Sequence, residues 1–305
     1  MYHYRIGLSI IQVIGVLSFT VARAQSTDLL DELNMLSSEE IVFTPPAFKT
    51  LQIGNLQSTK LAANNDLYLN VSHRFGSLNT GIREFYGLDQ ANTRIQLLYG
   101  ISDNLQVSLS RDSFEKTYSS ALKLRLRRQS NKMPVAIVAY FTTDINTLVT
   151  KNLYPGLLLY DRFAYTSQFL VSRRMSEKLT IELAPIYVRQ NLIDLNYTQT
   201  AIPATRPMSF LKAPWSQYLI AVGGRYKLSK RVSLNMDYAY NVSKSNTSLY
   251  KNPLAIGFDI ETGGHVFQLL FTNSRASNNA GYLTETLGDW TKGEISFGFN
   301  VVRVF

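Results

Sequence analysis

The 305-residue chain contains no cysteine. Disulfides, thiolate metal ligands and a lipoprotein anchor are therefore excluded. Only three histidines are present. His3 falls in an N-terminal leader, and His73 and His265 stand at the ends of two strand-like segments. Two such histidines with scattered carboxylates give no metal-ligand pattern. The chain also lacks a Walker loop, a dinucleotide-binding glycine fingerprint, an HExxH run and a GxSxG elbow. No enzyme and no cofactor are expected. A membrane-embedded hydrolase ranks last, since Ser72 beside His73 points to the opposite face of its strand. Past the leader, no apolar run approaches the roughly 20 residues of a membrane helix. Mean hydropathy is −0.06. A membrane helix bundle is excluded.

Met1–Ala24 has the pattern of a secretory signal. Arg5 precedes the largely apolar stretch Ile6–Val21, and Ala22-Arg23-Ala24 is a small-x-small cleavage site before Gln25. Lys and Arg number 31 against 22 Asp and Glu. In an exported chain without a basic-aromatic motif, that excess fits lipid phosphates or a pore lining rather than nucleic acid. Residues 25–57 read as a periplasmic arm. Its acidic part, Ser26–Glu40, spaces Leu29, Leu30, Leu33 and Leu36 for a short amphipathic helix; a flexible leader fits equally. Thr44-Pro45-Pro46 ends it, and Ala47–Gln57 is extended in character.

From residue 58 onward, period-two alternation dominates. Phe267, Leu269 and Phe271 face one way, and Gln268 and Thr272 the other, with Leu270 the exception. Val232, Leu234, Met236, Tyr238 and Tyr240 oppose Ser233, Asn235, Asp237 and Asn241. An apolar face on one side and a polar one on the other, in segments of about ten residues, suits tilted strands standing in lipid around a polar lumen. Twelve such segments occur: Asp66–Phe75, Asn92–Ile101, Asn104–Arg111, Thr117–Arg127, Pro134–Thr143, Phe163–Arg174, Lys178–Arg189, Gln217–Leu228, Arg231–Val242, Pro253–Glu261, His265–Asn273 and Gly293–Arg303. Tight connections such as Ser102-Asp103 and Ser229-Lys230 alternate with long ones such as Gly76–Ala91 and Ser274–Lys292. Short periplasmic turns and long outer loops give that rhythm. With both ends on the periplasmic side, the parity admits twelve strands in a closed antiparallel barrel. Leu51–Leu56 is then a periplasmic extension or a partial strand folded against it.

A lipid-facing Arg at mid-bilayer costs roughly 2–4 kcal/mol. Charges on the strands therefore point inward or sit at a rim. The expected lumen-lining set is Lys123, Arg125, Arg127, Arg225, Lys227, Asp237, Asp259, Glu261 and Glu294, joined by Arg74, Arg94, Arg174, Asp112 and Glu182. Opposite charges across a narrow barrel either pair and close it or line a wet path.

Several strings resemble a known family. They are His73-Arg74-Phe75-Gly76, Tyr86–Gln90, Tyr99–Asn104, Leu124–Gln129, Gly223–Leu228, the run GFDIETGGHVFQ over Gly257–Gln268, Phe271–Ser274 and Gly288-Asp289-Trp290. Together they are similar to the outer-membrane β-barrel family of Bacteroidota known as DUF5777, over about Phe48 to Phe305. The resemblance implies an outer-membrane barrel and carries no catalytic residue.

The function expected first is passive passage of small solutes through a mixed-charge lumen. The alternative is a structural or docking barrel that binds an envelope partner and does not conduct. The expected partners are outer-membrane lipid and, through the C-terminal strand ending in Phe305, the barrel-assembly machinery. The loop around Gly288-Asp289-Trp290 either makes tight turns or folds into the lumen as a constriction.

Overall fold

In the computed structural model, residues 41–152, 155–194, 210–211, 215–244 and 248–305 are described. The signal segment and acidic arm expected over residues 1–40 lie outside them. Thr44–Phe305 forms one compact unit.

Alternating side chains fix twelve antiparallel strands. They are β1 (Leu67–Ser77), β2 (Ala91–Ser102), β3 (Leu105–Asp112), β4 (Thr117–Arg127), β5 (Ala136–Ile145), β6 (Phe163–Arg174), β7 (Leu179–Gln190), β8 (Trp215–Lys227), β9 (Val232–Asn241), β10 (Leu254–Thr262), β11 (His265–Thr272) and β12 (Ser296–Val304). Each pairs with its sequence neighbour, and β1 pairs with β12 to close the barrel. At that seam Val71 lies opposite Val301, and the Phe305 amide donates to the Leu67 carbonyl at 2.9 Å. Both ends of the sheet therefore lie at the short-turn, periplasmic end. The twelve strands foreseen from alternation are the twelve that form.

Burial is inside out relative to a water-soluble barrel. Ile95, Leu109 and Tyr218 are 54%, 67% and 60% exposed, whereas Arg74, Arg94 and Lys123 are at most 1% exposed. Lipid covers the first group, so that surface costs nothing in a membrane. Near the outer rim, the Arg111 guanidinium lies 5.6 Å from the centre of the Tyr118 ring.

The lumen has two unlike walls. Along β1–β3 and β10–β12 most of its buried residues are polar, among them Asn70, Arg94, Gln96, Gln106, Gln268 and Asn300, beside a small apolar patch of Tyr68, Leu98 and Val302 that receives Leu51 and Ala62. Along β5–β8 they include Val138, Leu170, Ile186, Val188, Leu219 and Ala221. A water-filled bore has no use for that second wall. Its occupant is the chain itself.

Candidate functional site

The segment Ala47–Ala63 fills the periplasmic side of the lumen. Leu51–Leu56, left by the sequence as an extension or partial strand, joins no barrel strand. It is the upper part of a hairpin standing inside. The Ile53 amide donates to the Leu56 carbonyl at 2.8 Å, the Ser58 amide to the Leu51 carbonyl at 3.1 Å, and Gln52 bridges Gln57. Phe48, Ile53, Leu56 and Leu61 are at most 4% exposed and pack in one cluster with Val138, Leu170, Ile186 and Leu219. Fully burying such a side chain is worth about 1.5–3 kcal/mol. The apolar wall therefore seats the hairpin.

Polar groups from around the lumen orient it. At the tip, the Asn55 amide donates to Asp237 Oδ2 at 3.0 Å, and Asn55 Nδ2 donates to Thr272 Oγ1 at 2.9 Å. Arg74 Nη2 donates to Asn55 Oδ1 at 2.8 Å. Gly54 is required here, since a Cβ would stand 2.6 Å from Asp237 Oδ2. Lower down, Gln268 Nε2 donates to the Ile53 carbonyl at 3.0 Å and to Asp259 Oδ1 at 2.8 Å. Lys123 Nζ donates to the Leu51 carbonyl at 3.2 Å. On the returning limb, the Thr59 amide donates to Glu182 Oε2 at 3.0 Å, and Thr59 Oγ1 lies 2.5 Å from Ser172 Oγ. The Ala62 amide donates to Gln106 Oε1 at 2.7 Å. At the mouth, Lys49 pairs with Glu261 at 2.7 Å, and Arg225 stands 3.9 Å from the same carboxylate.

A second insertion descends from the outer end. The loop after β11 carries a short helix, α1 (Asn279–Thr284), every residue of which is buried. Asn278 caps it by accepting from the Gly281 amide at 2.8 Å. Asp112 Oδ2 accepts from the Ser277 and Asn278 amides at 3.0 and 2.9 Å. Arg94 Nη1 donates to the Ser277 carbonyl at 2.6 Å. Tyr282 and Leu283 complete the apolar cluster that holds Phe48 and Ile53. The two insertions thus meet in mid-lumen. The loop weighed as a constriction enters the lumen through residues 276–284, while Gly288-Asp289-Trp290 stays at its outer end.

The nine expected lumen residues divide. Lys123, Arg225, Asp237 and Asp259 are buried inside. Arg125, Lys227 and Glu261 sit half-buried toward the periplasmic rim, where Arg125 Nη1 donates to the Asp103 carbonyl at 2.5 Å. Arg127 is a correction: the β4–β5 register shifts between Arg125 and Arg127, and its side chain is exposed. Glu294 is another. β12 begins only at Ser296, so Glu294 belongs to the outer loop, where Oε2 accepts from the Asp289 amide at 3.0 Å. The charges inside do not line an open path in this state; they hold the insertions. Asn55 and Thr59 are not legible in the sequence, because single residues with no periodic signal make these contacts. His73 faces outward, stacked on Phe299 with ring centres 5.1 Å apart.

Above α1, the outer loops enclose a cavity of about 510 Å³. Phe114, Tyr250, Glu115, Glu285, Glu294 and Arg275 stand on its wall. Glu115 holds a positive φ of 51°, a conformation rare outside glycine. Asn146 Nδ2 orients its carboxylate at 2.7 Å. Beside the cavity, the Thr291 hydroxyl, then Lys251 and then the Thr291 amide hold the Asp289 carboxyl down to about 2.

The profile of a family described as a membrane-bound beta barrel domain (DUF5777) matches residues 48–305. No curated protein matches the sequence. Among solved structures, the NanC porin is similar at 11% identity over 78% of this chain and 98% of its own, with a TM-score of 0.48. The KdgM porin is similar at 8% identity over 78% and 99%, with a TM-score of 0.45. The COG4313 outer membrane channel from Pseudomonas putida F1 is similar at 13% identity over 81% and 97%, with a TM-score of 0.42.

Proposed function

The chain belongs to the DUF5777 family of membrane-bound β-barrel domains, and from that premise we propose that it is a gated outer-membrane channel for small solutes, shut in the state described by its own hairpin. The polar wall carries this reading. Asn70, Gln106, Gln268 and Asn300 are buried against the hairpin and each hydrogen-bonds it, while Gln96, also buried, meets Asn70 and Ser108 of the wall itself. A permanently solid barrel would need polar groups only where they meet the backbone of the hairpin; a pair such as Gln96 and Ser108, which bond each other, could both be apolar there at little cost. A wall that becomes wet when the hairpin leaves needs those groups. The apolar wall of β5–β8 does the opposite job and returns the hairpin to its seat.

Gating then works by exchange. When Ala47–Ala63 withdraws toward the periplasm, water replaces its hydrogen bonds to Asp237, Gln268, Glu182 and Gln106. Solutes pass through the vacated lumen, with Lys123, Arg225, Asp237 and Asp259 setting a weak charge preference. The docking barrel is the second reading, favoured by the completeness of the apolar cluster.

Single-channel recording in planar bilayers separates the two. The intact protein is expected to be largely silent, and a variant lacking residues 44–60 to conduct steadily. The triple variant F48A/I53A/L56A keeps the chain length and is expected to flicker open. Silence from both correctly folded variants would reject the channel.

A further inference from the structure

We propose that the periplasmic mouth of the lumen holds a binding site for a small multivalent oxyanion of the phosphate or sulfate type, seated on Arg225 between the barrel wall and the two limbs of the hairpin. Arg225 carries the argument. The residue is 7% exposed. Its Nε is buried and meets no acceptor among the described residues. Its ion pair with Glu261 is long, with Nη2 3.9 Å from Oε1, beyond hydrogen-bond reach. A guanidinium holds five donors in a fixed fork and keeps its charge in any protein. Buried donors are matched as a rule, and an unmatched one marks a place where an ion or solvent belongs.

The neighbours raise that demand. Glu261 is already paired with Lys49 at 2.7 Å. Asp259, deeper on the same strand, accepts from Gln268 Nε2 at 2.8 Å. Lys60 Nζ donates to the Lys49 carbonyl, which sets a second ammonium group at the mouth. Arg174 on β6 and Arg225 on β8 both lie opposite Thr180 of β7, so the two arginines face inward from one row. Four cations thus share two carboxylates, each of them already engaged. The adjoining turns, residues 175–178 and 228–231, add Lys178, Lys230 and Arg231 against Glu177. A concave mouth that gathers one sign of charge concentrates ligands of the other.

The same geometry sets the class of ligand and its source. The arginine fork matches two oxygens of a phosphate-type anion, and the lysines supply point charges for the remaining ones. Arg174 and Arg225 face the lumen, where the headgroups of the surrounding membrane do not reach. The ligand is therefore an anion free in the periplasm. Lys49 and Lys60 stand on opposite limbs of the hairpin, and Arg225 stands on the wall. An anion held by all three ties the hairpin to its seat. That such a tie keeps a channel shut rests on the gated-channel reading; the binding site itself does not.

The test is calorimetry on the full chain in detergent micelles at fixed ionic strength, with empty micelles subtracted. The probes are inorganic phosphate, sulfate, nitrate and dihexanoylphosphatidylglycerol. Saturable binding of phosphate and sulfate, about tenfold or more tighter than nitrate, is expected. R225Q should cost phosphate about tenfold, and R225K, which keeps the charge and loses the fork, about threefold. R111Q, which removes a charge at the outer rim, should change nothing. Equal affinity for phosphate and nitrate would overturn the proposal. So would phosphate binding that is unchanged in both Arg225 variants, or an equal loss in R225Q and R111Q. Binding confined to the lipid, with free phosphate inert, would overturn it in favour of a headgroup site. Phosphate binding with the expected profile, beside a silent hairpin-deleted barrel, would support the site and reject the channel reading. Steady conductance of the hairpin-deleted barrel with no phosphate binding to the intact protein would do the reverse.

Discussion

Leu56 shows how much one side chain decides. It is 1% exposed, and it lies in the seam between hairpin and apolar wall. Leu56→Ala should weaken seating by roughly 2–5 kcal/mol, the usual cost of a large-to-small change in a packed interior. The barrel itself should survive. Limited trypsin digestion reads the difference: cleavage after Lys60 is expected to accelerate strongly, while the strands stay intact. Unchanged cleavage would mean that Leu56 does not hold the hairpin. Asp289 gives a pH-dependent counterpart outside the membrane. Its carboxyl is depressed from an ordinary 3.8 to about 2 by the Thr291 hydroxyl first, with Lys251 3.1 Å away. A depressed acid stabilises the fold above its unfolded value and loses that contribution as pH falls through the folded one. Hydrogen exchange in residues 286–294 should therefore quicken between pH 4 and 2. Asp289→Asn should exchange at a rate independent of pH in that window, after correction for intrinsic exchange.

At the scale of elements, α1 depends on its anchorage. A six-residue helix is too short to persist alone. Asp112 supplies the acceptor for two backbone N–H groups at its start. Asp112→Ala orphans both, at about 1–3 kcal/mol for each group. Amide exchange at Ser277 and Asn278 should rise sharply, and Asp112→Asn, which keeps an acceptor oxygen, should rise less. Equal protection in all three proteins would contradict the anchorage. The elements also show what was legible in the chain. Strands such as β9 and β11 announced themselves because lipid and lumen impose opposite polarity on alternate residues. β7 and β8 carried a second message. Leu183-Ala184-Pro185-Ile186-Tyr187-Val188 and Leu219-Ile220-Ala221-Val222 are nearly continuous apolar runs. Such runs belong to strands buried on both faces. Read that way, they signal a filled lumen on this side. The hairpin itself gave no equal signal. Ile53 and Leu56 turn to the apolar wall, Leu51 to Tyr68, Leu98 and Val302, and Gln52, Asn55 and Gln57 to polar groups, so apolar and polar residues mix as in a strand. That environment mimics a strand.

At the scale of the whole molecule, the barrel separates two tasks. Its outer surface is made for hydrocarbon, and its interior for a segment of its own chain. The absence of cysteine leaves packing, hydrogen bonds and the Lys49–Glu261 pair to hold that segment, with nothing covalent inside the lumen. The missing thiols also make a clean experiment possible. Thr59 Oγ1 and Ser172 Oγ, 2.5 Å apart, can be replaced by two sulfurs with little change in position. The measurement is single-channel conductance of T59C/S172C in the F48A/I53A background, before and after a reductant is added on the periplasmic side. If the hairpin is the gate, the oxidised protein is silent and reduction produces openings. Conductance that is the same with the bond made and broken would contradict it.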